Sequence, residues 1–214
     1  MSSNNVTQIN DISGNGNHFG YKLSGSLNNI YSSSDSTGYP SIRFPTGSSL
    51  RNSNAFNLAS TSTQSLTLFL VYNLISSGTV LQLYINQADA NWGGSGLKLI
   101  DGSILWIDNG ASGTVFGNIS MTASLPRKQI LCIKKDVSAG NNKVWVNSSL
   151  MTTDTSYPGW RTDISNKYWG FGGAASGWLD NANYSLYEFA LFNSALSDTD
   201  INTTIVNLKA KWGI

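Results

Sequence analysis

Few side chains in this sequence have the chemistry of a catalytic acid, base or nucleophile. Among its 214 residues, Glu188 is the only glutamate, His18 the only histidine and Cys132 the only cysteine. Glycoside hydrolysis uses two carboxyl groups, about 5–5.5 Å apart for retention and about 6.5–9.5 Å apart for inversion. One glutamate cannot supply that pair, and no closely spaced pair of aspartates falls in a strand-like segment. We therefore expect a protein that is not an enzyme.

Each of these three residues has a structural interpretation that the sequence favours. Glu188 shares a predicted strand face with Leu186 and Ala190, which indicates a buried carboxylate hydrogen-bonded to a nearby loop, since buried charges need partners. Contact with a ligand is the alternative role for Glu188. No second histidine, cysteine or glutamate lies near His18 to share a metal ion. Cys132, in the apolar run QILCIKK, is expected in the core.

Tryptophans in polar loops offer a second kind of chemistry, carbohydrate binding. An aromatic ring covers the C–H face of a sugar, and neighbouring polar groups hydrogen-bond its hydroxyls. Three loops have this combination: Trp92 with Asn91, Trp160 with Arg161, and Trp178 with Asn181. The alternative is that these rings cap the edge of the fold. Trp106, Trp145 and Trp212 lie in apolar segments, and core packing is expected for them.

The segments that must position such loops are short and rich in β-branched or aromatic residues. Strands are predicted at 41–44, 66–74, 79–86, 97–100, 104–107, 129–135 and 143–147, and a further strand begins at Tyr184. Gly, Asn, Ser or Asp bounds nearly every one, and no helical segment separates them. This pattern is typical of an antiparallel two-sheet β-sandwich. No composition shift marks a linker, so we expect a single domain over residues 1–214.

The chain ends with a strand and a short amphipathic helix. In the strand, two faces are predicted by alternation, one with Tyr187, Phe189 and Leu191 and the other with Leu186, Ala190 and Phe192. Ser197 is predicted to cap the helix that follows, and Gly213 to end it. The helix has an apolar stripe of Ile201, Ile205, Leu208 and Trp212. We expect this stripe to pack on a β-sheet.

Charged residues are scarce, which limits the partners that electrostatics can select. They form 12% of the sequence, about half the usual share, and the formal net charge is +1. No basic run is longer than two residues, which argues against nucleic acid or an anionic membrane as a partner. No stretch approaches the ~20 apolar residues of a membrane span, and residues 1–10 lack the pattern of a secretory signal. Low charge with abundant Ser, Thr, Asn and Gly is often found in secreted and virion proteins.

Four separated segments carry motifs that occur together in one family. They are DISGNGNHFG (11–20), YPSIRFPTGSSL (39–50), QILCIKKDVSAGNNKVWVN (129–147) and WGFGGAASGWLDNANYSLYEFALFNSALSDTDI (169–201). This ordered set resembles the laminin-G-like or concanavalin A-like jelly rolls, especially those of phage and bacterial surface proteins. The third segment departs from the family pattern, because Asn147 is followed by Ser148 where the family usually has a turn glycine.

The resemblance implies an all-β jelly roll closed by a short C-terminal helix. Lectins, glycanases, adhesion modules and passive virion domains share this architecture, so it specifies the fold better than the function. The glycanases of this fold use two nearby glutamates, and a sequence with one glutamate lacks that pair. The resemblance therefore agrees with a non-enzymatic role.

The resemblance also implies calcium as a candidate cofactor. Domains of this kind often bind calcium at a rim, and Ca²⁺ takes about six to eight oxygen ligands. Two clusters have suitable side chains, Asp11 with Asn15 and Asn17, and Asp180 with Asn181 and Asn183. The alternative for the first cluster is a tight turn, because Gly14, Gly16 and the asparagines tolerate a positive φ.

These features together predict a recognition module of a phage or other virion surface protein that binds host-surface carbohydrate. Trp92, Trp160 and Trp178 are the predicted contact residues. The alternative is a structural virion protein that decorates a capsid or builds a tail or fibre through contacts with other virion proteins. Oligomers fit either function. The predicted location is the virion surface, with the extracellular space as the alternative.

Overall fold

A computed structural model describes residues 5–21, 29–46, 48, 50–52, 65–84, 95–100, 103–108, 113–120, 127–154, 168–171 and 182–214. The strands in these ranges are β1 (Phe19–Tyr21), β2 (Ile30–Ser32), β3 (Ser41–Phe44), β4 (Leu50–Asn52), β5 (Leu66–Ser76), β6 (Gly78–Tyr84), β7 (Ser95–Ile100), β8 (Ser103–Asp108), β9 (Gly113–Ser120), β10 (Arg127–Asp136), β11 (Asn141–Val146), β12 (Ser149–Asp154), β13 (Tyr168–Phe171) and β14 (Asn183–Phe192). The helix is α1 (Asp198–Trp212). Every predicted strand is present, and the ends that fall on described residues are shifted by one or two residues at most; residues 85 and 86 of the predicted strand 79–86 lie outside the described residues.

The described strands pair into two antiparallel sheets of seven strands each. Sheet I has the order β12–β11–β10–β5–β14–β3–β2, and sheet II the order β1–β4–β13–β6–β7–β8–β9. The last strand, β14, lies inside sheet I between β5 and β3. The predicted fold class, an antiparallel two-sheet β-sandwich with a C-terminal helix, is confirmed.

Strand β5 shows how the two layers of apolar core arise. Leu68 and Leu70 belong to the core between the sheets, which also contains Phe171 of sheet II. Phe69 and Val71, at the alternate positions, belong to a second apolar cluster on the outer face of sheet I. Since successive side chains of a strand point to opposite faces, a strand that is apolar at every position must be covered on both sides.

Helix α1 provides the cover for the outer face of sheet I. The hydroxyl of Ser197 accepts a hydrogen bond from the Asp200 N–H at 3.1 Å, which caps the first turn. The predicted stripe is buried at all four positions, Ile201, Ile205, Leu208 and Trp212. Gly213 ends the helix with φ 64° and ψ 49°, the left-handed conformation that favours glycine. The predicted cap, stripe and end are therefore confirmed. Within the described ranges, no helix has the length and apolarity that a membrane span requires.

A β-bulge in β14 changes the faces that its residues occupy. Leu186 and Glu188 pair with successive residues of β5, so Tyr187 is an extra residue in the ladder. Leu186 then lies with Phe189 on the inter-sheet side, and Tyr187 lies with Ala190 on the helix side. The predicted assignment of Tyr187 to the face of Phe189, and of Leu186 to the face of Ala190, is therefore wrong. Strict alternation holds only for a strand without an extra residue.

The turn between β11 and β12 is made without a glycine after Asn147. Asn147 takes φ 55°, which asparagine tolerates better than most residues. Its N–H donates to the Ile130 carbonyl at 2.8 Å, and its side-chain oxygen accepts from the Ile130 N–H at 3.0 Å. These two bonds fix the turn against β10, so Ser148 is accommodated.

Strand β14 is longer than its neighbour β3, and this leaves a gap at one side of the sandwich. The pairing with β3 covers Tyr184–Leu186, whereas β14 continues to Phe192 against β5. Pro40, directly before β3, has no N–H with which to extend the ladder. Among the described strands, no other one pairs with β14 on the β3 side. The second half of β14 therefore forms one wall of a cleft.

Candidate functional site

The cleft, called here the β14 cleft, lies between the second half of β14, the β2–β3 hairpin and the N-terminal segment 9–17. Its volume is about 1090 Å³, slightly above the ~300–1,000 Å³ of most small-molecule pockets. Its floor is apolar, with Phe19, Phe171, Leu186, Phe189 and Leu191. Its rim is polar, with Asn10, Asp11, Ser13, Asn15, Asn17, Glu188 and Asn193. This composition suits a ligand with both apolar faces and hydrogen-bonding groups.

Aromatic contacts hold the floor of the β14 cleft in place. The ring centroid of Phe171 lies 4.7 Å from that of Phe19 and 5.1 Å from that of Phe189. The second contact is edge-to-face, an arrangement that aromatic quadrupoles favour. Because these rings come from both sheets, the floor is part of the sandwich core and gives the rim a rigid support.

Two aromatic rings are exposed at the cleft. Tyr31 of β2 is 47% exposed, and Phe192, the last residue of β14, is 39% exposed. The ring of Phe192 rests on Phe69, with the centroids 6.0 Å apart and the planes nearly perpendicular. Asn193 follows it, exposed and also on the cleft. The cleft thus combines partly exposed aromatic residues with an amide, which is the chemistry that the sequence indicated for other loops.

The first predicted calcium cluster forms a closed turn at the rim. Asp11 Oδ1 accepts from the Ser13 N–H at 2.8 Å, and its Oδ2 accepts from the Asn17 N–H at 3.0 Å. The Ser13 hydroxyl accepts from Asn15 Nδ2 at 2.9 Å, and His18 Nδ1 accepts from the Asp11 N–H at 3.0 Å. Hydrogen bonding from Ser13 and Asn17 holds the pKa of Asp11 below its usual value, against the opposing effect of burial. This geometry matches the turn interpretation, and the calcium hypothesis stays a prediction.

Glu188 is bound by helix α1. Its Oε2 accepts from the Trp212 indole N–H at 2.7 Å and from Lys211 Nζ at 2.8 Å. The side chain is 32% exposed, so it is only partly buried. The sequence predicted that Glu188 would hydrogen-bond to a nearby loop, and this is wrong. Its partners lie in helix α1, because the bulge turns both Tyr187 and Glu188 toward the helix. Glu188 satisfies an indole N–H that is otherwise shielded from water.

Beside Glu188, Tyr187 connects β14 to the loop before β3. Its hydroxyl donates to Asp35 Oδ2 at 2.5 Å, and Asp35 Oδ1 accepts from the Thr37 hydroxyl at 2.6 Å. Burial, together with the hydrogen bond to Asp35, raises the pKa of Tyr187. Burial also tends to raise the pKa of Asp35, but the hydrogen bonds from Thr37 and Tyr187 outweigh it and lower that pKa. The phenol therefore remains the donor and the carboxylate the acceptor at neutral pH.

Lys128 lies between two tyrosines at the end of the helix. Its Nζ is 3.5 Å from the ring centroid of Tyr39 and 5.0 Å from that of Tyr187, and it donates to the Trp212 carbonyl. Burial lowers the pKa of Lys128, and the charge of Asp35 opposes that effect. The ammonium thus combines cation–π contacts with the negative end of the helix dipole.

The predicted carbohydrate residues lie outside the described residues: Trp92, Asn91, Trp160, Arg161, Trp178 and Asn181. Their role as sugar-binding residues stays a prediction. Of the second calcium cluster, Asp180 also lies outside, and Asn183 is described at the start of β14. Its side-chain oxygen accepts from Arg43 Nε at 3.3 Å.

The exposed aromatic and amide residues of the β14 cleft, Tyr31, Phe192 and Asn193, are not among the predicted site residues. A signal for Tyr31 exists in the sequence, because it stands in NNIYSSS as an aromatic flanked by polar residues, like the loop tryptophans. The exposure of Phe192 follows from the shortness of β3, which local sequence does not show.

The described residues include several potential metal ligands and the single cysteine. Within them, no group of three or more His, Cys, Asp or Glu side chains is close enough to hold a metal ion. Cys132 is fully buried beneath helix α1, as predicted, and burial raises the pKa of its thiol. The thiolate, which is the reactive form, is thereby disfavoured.

No protein-family model and no curated protein sequence match this chain, whereas solved structures match its fold. The binding domain of Paraclostridial mosquitocidal protein 1 has a TM-score of 0.67 at 14% identity, over 93% of this chain and 49% of that one. The binding domain of botulinum neurotoxin serotype G has a TM-score of 0.65 at 16% identity, over 94% and 48% of the two chains. The Ruminococcus gnavus IT-sialidase CBM40, bound to alpha2,3 sialyllactose, has a TM-score of 0.62 at 14% identity, over 77% and 95%.

These matches define the class of the fold. The protein has the antiparallel β-sandwich fold that these binding domains share. It spans about half the length of the first two chains, at 49% and 48%, and corresponds to 95% of the CBM40 chain. At these sequence identities the likeness concerns the fold alone.

Proposed function

We propose that this protein is a non-catalytic module that binds carbohydrate on a host-cell surface. The observation that carries the proposal is the β14 cleft, where the exposed rings of Tyr31 and Phe192 stand near amide and carboxylate groups. Ring faces take the C–H sides of sugars, and amides and carboxylates pair with hydroxyls. A cleft with an apolar floor and a polar rim accommodates both parts of such a ligand.

The fold comparisons support the same function. The CBM40 neighbour was solved with alpha2,3 sialyllactose, and the other two neighbours are binding domains, one of a mosquitocidal protein and one of a botulinum neurotoxin. The non-catalytic part of the proposal is supported by Glu188, the single glutamate, whose carboxylate is engaged by Trp212 and Lys211. These hydrogen bonds hold helix α1 against strand β14.

The proposal also includes the surroundings of the module, which we place at the surface of a phage or other virion. The low share of charged residues, 12%, supports this placement. The loop residues Trp92, Trp160 and Trp178 remain a second predicted sugar-binding surface. The resemblance to laminin-G-like and concanavalin A-like domains of phage proteins supports both points.

The edge strand β12 favours a second candidate function, structural assembly with other virion proteins. Leu150 is 50% exposed and Met151 is 37% exposed on this strand, which lies at one end of sheet I. Exposed apolar edge strands are natural sites for contact with another chain. Light scattering on the wild type and on a Leu150→Lys variant tests this function. If the function is structural assembly, the wild-type protein forms an oligomer and the variant does not.

A broad glycan array tests the primary function. We expect the wild-type protein to bind a restricted set of glycans, and titration calorimetry to confirm the interaction in solution. Trp160→Ala and Trp178→Ala report on the loop surface, and Tyr31→Ala reports on the cleft. Absence of binding to any glycan, with loss of particle assembly in the tryptophan variants, would refute carbohydrate recognition in favour of the structural role.

A further inference from the structure

We propose that the β14 cleft takes a neutral oligosaccharide and disfavours glycans that carry a carboxylate or sulfate group. This inference rests on the proposed function, because it names the class of carbohydrate that the module binds. It also distinguishes the protein from the CBM40 neighbour, which was solved with alpha2,3 sialyllactose.

The charges around the cleft are the first argument. Among the described residues that line it, the charged side chains are Asp11 and Glu188, and none is lysine or arginine. Glu188 is balanced by Lys211, whose Nζ lies 2.8 Å from Oε2. Asp11 is held instead by the N–H groups of Ser13 and Asn17, and the ionisable group beside it is the His18 imidazole, not a lysine or an arginine. The described lining therefore has two carboxylates, one of them paired with a lysine, and we expect the charge of the other to repel an anionic sugar.

The hydrogen-bonding character of the rim is the second argument. A carboxylate accepts hydrogen bonds and cannot donate them. Sugar hydroxyls are donors and suit Asp11, whereas the carboxylate of a sialic acid does not. The exposed amides of Asn15 and Asn193 supply both donors and acceptors for the remaining hydroxyls. The polar rim thus matches a ligand that is rich in hydroxyls and free of charge.

The exposed aromatic rings make the third argument, since they fix where the sugar lies. Tyr31 and Phe192 line the cleft, are partly exposed and have no charged neighbours in the sequence. We expect Tyr31→Ala and Phe192→Ala each to weaken binding of a neutral glycan roughly tenfold, because a stacking surface is lost. Tyr31→Phe keeps the ring and keeps most of the affinity. Val206→Ala, at a 60% exposed apolar residue of helix α1, is the matched control and leaves binding unchanged.

Paired glycans provide the direct test of charge. Each neutral oligosaccharide on the array is compared with the same oligosaccharide capped by sialic acid, and the best pair is measured by calorimetry. We expect the neutral member to bind about fivefold tighter or more, since one charge pair near contact in water is a factor of about five. High salt reduces this difference, because screening shortens the reach of the Asp11 charge.

A charge-adding variant makes the test sharper. Asn193→Lys places a cation at the rim and reduces the preference for the neutral glycan by a similar factor. Asn207→Lys adds the same charge on the exposed face of helix α1 and leaves the preference as in the wild type. Hydrogen exchange of the wild type with and without the neutral glycan adds a readout that needs no variant. Added protection is expected at the second half of β14.

The outcomes separate this inference from the proposed function. If no glycan binds, carbohydrate recognition itself fails. If glycans bind, but Tyr31→Ala and Phe192→Ala bind as the wild type does, the sugar lies elsewhere and only the inference is overturned. Tighter binding of the sialylated member also overturns it. A protein or peptide partner that protects β14 when no glycan does would assign the cleft to strand addition.

Discussion

The contact between Gly213 and Tyr39 predicts that the end of the C-terminal helix is sensitive to a substitution at residue 213. Gly213 adopts φ +64°, and a Cβ added there would overlap the Tyr39 hydroxyl and lie 3.1 Å from its Cζ. The tyrosine ring is not free to move away, because it packs on Trp212 with centroids 5.9 Å apart and lies under Lys128 Nζ at 3.5 Å. Gly213→Ala must therefore strain the backbone and displace a packed ring.

A second glycine with a positive φ provides a control for the part of the destabilisation that comes from backbone strain. Gly140, in the turn between β10 and β11, has φ +62° and nothing within 4 Å of an added Cβ. Gly140→Ala should cost about 1 kcal/mol of unfolding free energy, from left-handed strain alone. Gly213→Ala carries the same strain and disturbs the contacts of Tyr39, which are worth roughly 1–2 kcal/mol more. We expect about 2–3 kcal/mol for Gly213→Ala.

Urea unfolding of both variants measures this difference in unfolding free energy. Thermal unfolding gives a second measurement: at about 2–4 °C per kcal/mol for a chain of this size, the two melting temperatures should differ by several degrees. In a Tyr39→Phe background, the loss caused by Gly213→Ala should shrink, because the clashing hydroxyl is gone and the two sites are coupled. If Gly140→Ala and Gly213→Ala lower the free energy of unfolding equally, the contact between residue 213 and Tyr39 does not contribute to stability and the reasoning is refuted.

Three further predictions concern charges and metal. Glu188→Ala should lower the free energy of unfolding by about 1–3 kcal/mol, because the Trp212 indole N–H loses its acceptor, and Glu188→Gln should cost less; equal losses in urea unfolding would contradict this. The hydrogen bond from Lys143 lowers the pKa of Asp198 against the effect of burial, so its stabilisation is present above pH 3.8 and is lost as pH falls through the lowered pKa. Asp198→Asn should therefore destabilise at neutral pH and resemble the wild type in acid, and a constant gap in unfolding free energy would argue otherwise. Millimolar calcium should leave the melting temperature unchanged, because Ca²⁺ takes about six to eight oxygen ligands and, within the described residues, no group of three or more His, Cys, Asp or Glu side chains lies close enough to hold a metal ion. A shift reversed by chelator would establish a site, since ligand at 100 times its Kd adds about 2.7 kcal/mol.

The sequence was most informative where local rules determine the structure. The Ser197 cap, the four-residue stripe and the Gly213 end are all set by residues within one helix, and the structure has them as predicted. The turn predicted at Gly14 and Gly16 is also set by local residues, and the two glycines take φ 85° and 73°. In such cases the physical cause lies within a few residues of its effect.

The faces of β14 and the cleft depended on distant partners. The bulge at Tyr187 arises from the register between β14 and β5, and the exposure of Phe192 arises from the early end of β3. Neither partner is adjacent in the sequence, so alternation alone assigned Tyr187 to the wrong face and treated Phe192 as an ordinary strand residue. The helix partner of Glu188 was missed for the same reason.

The position of β14 inside sheet I has a consequence for synthesis on the ribosome. Leu70 pairs with Phe189, and Arg43 pairs with Ser185, so early strands find their neighbour only when the last strand has been made. Contacts between segments so far apart in sequence slow folding. Until then β5 has an unpaired edge, with the apolar Phe69 and Val71 uncovered by the helix. We expect the nascent chain to depend on protection from aggregation until β14 and α1 have left the exit tunnel.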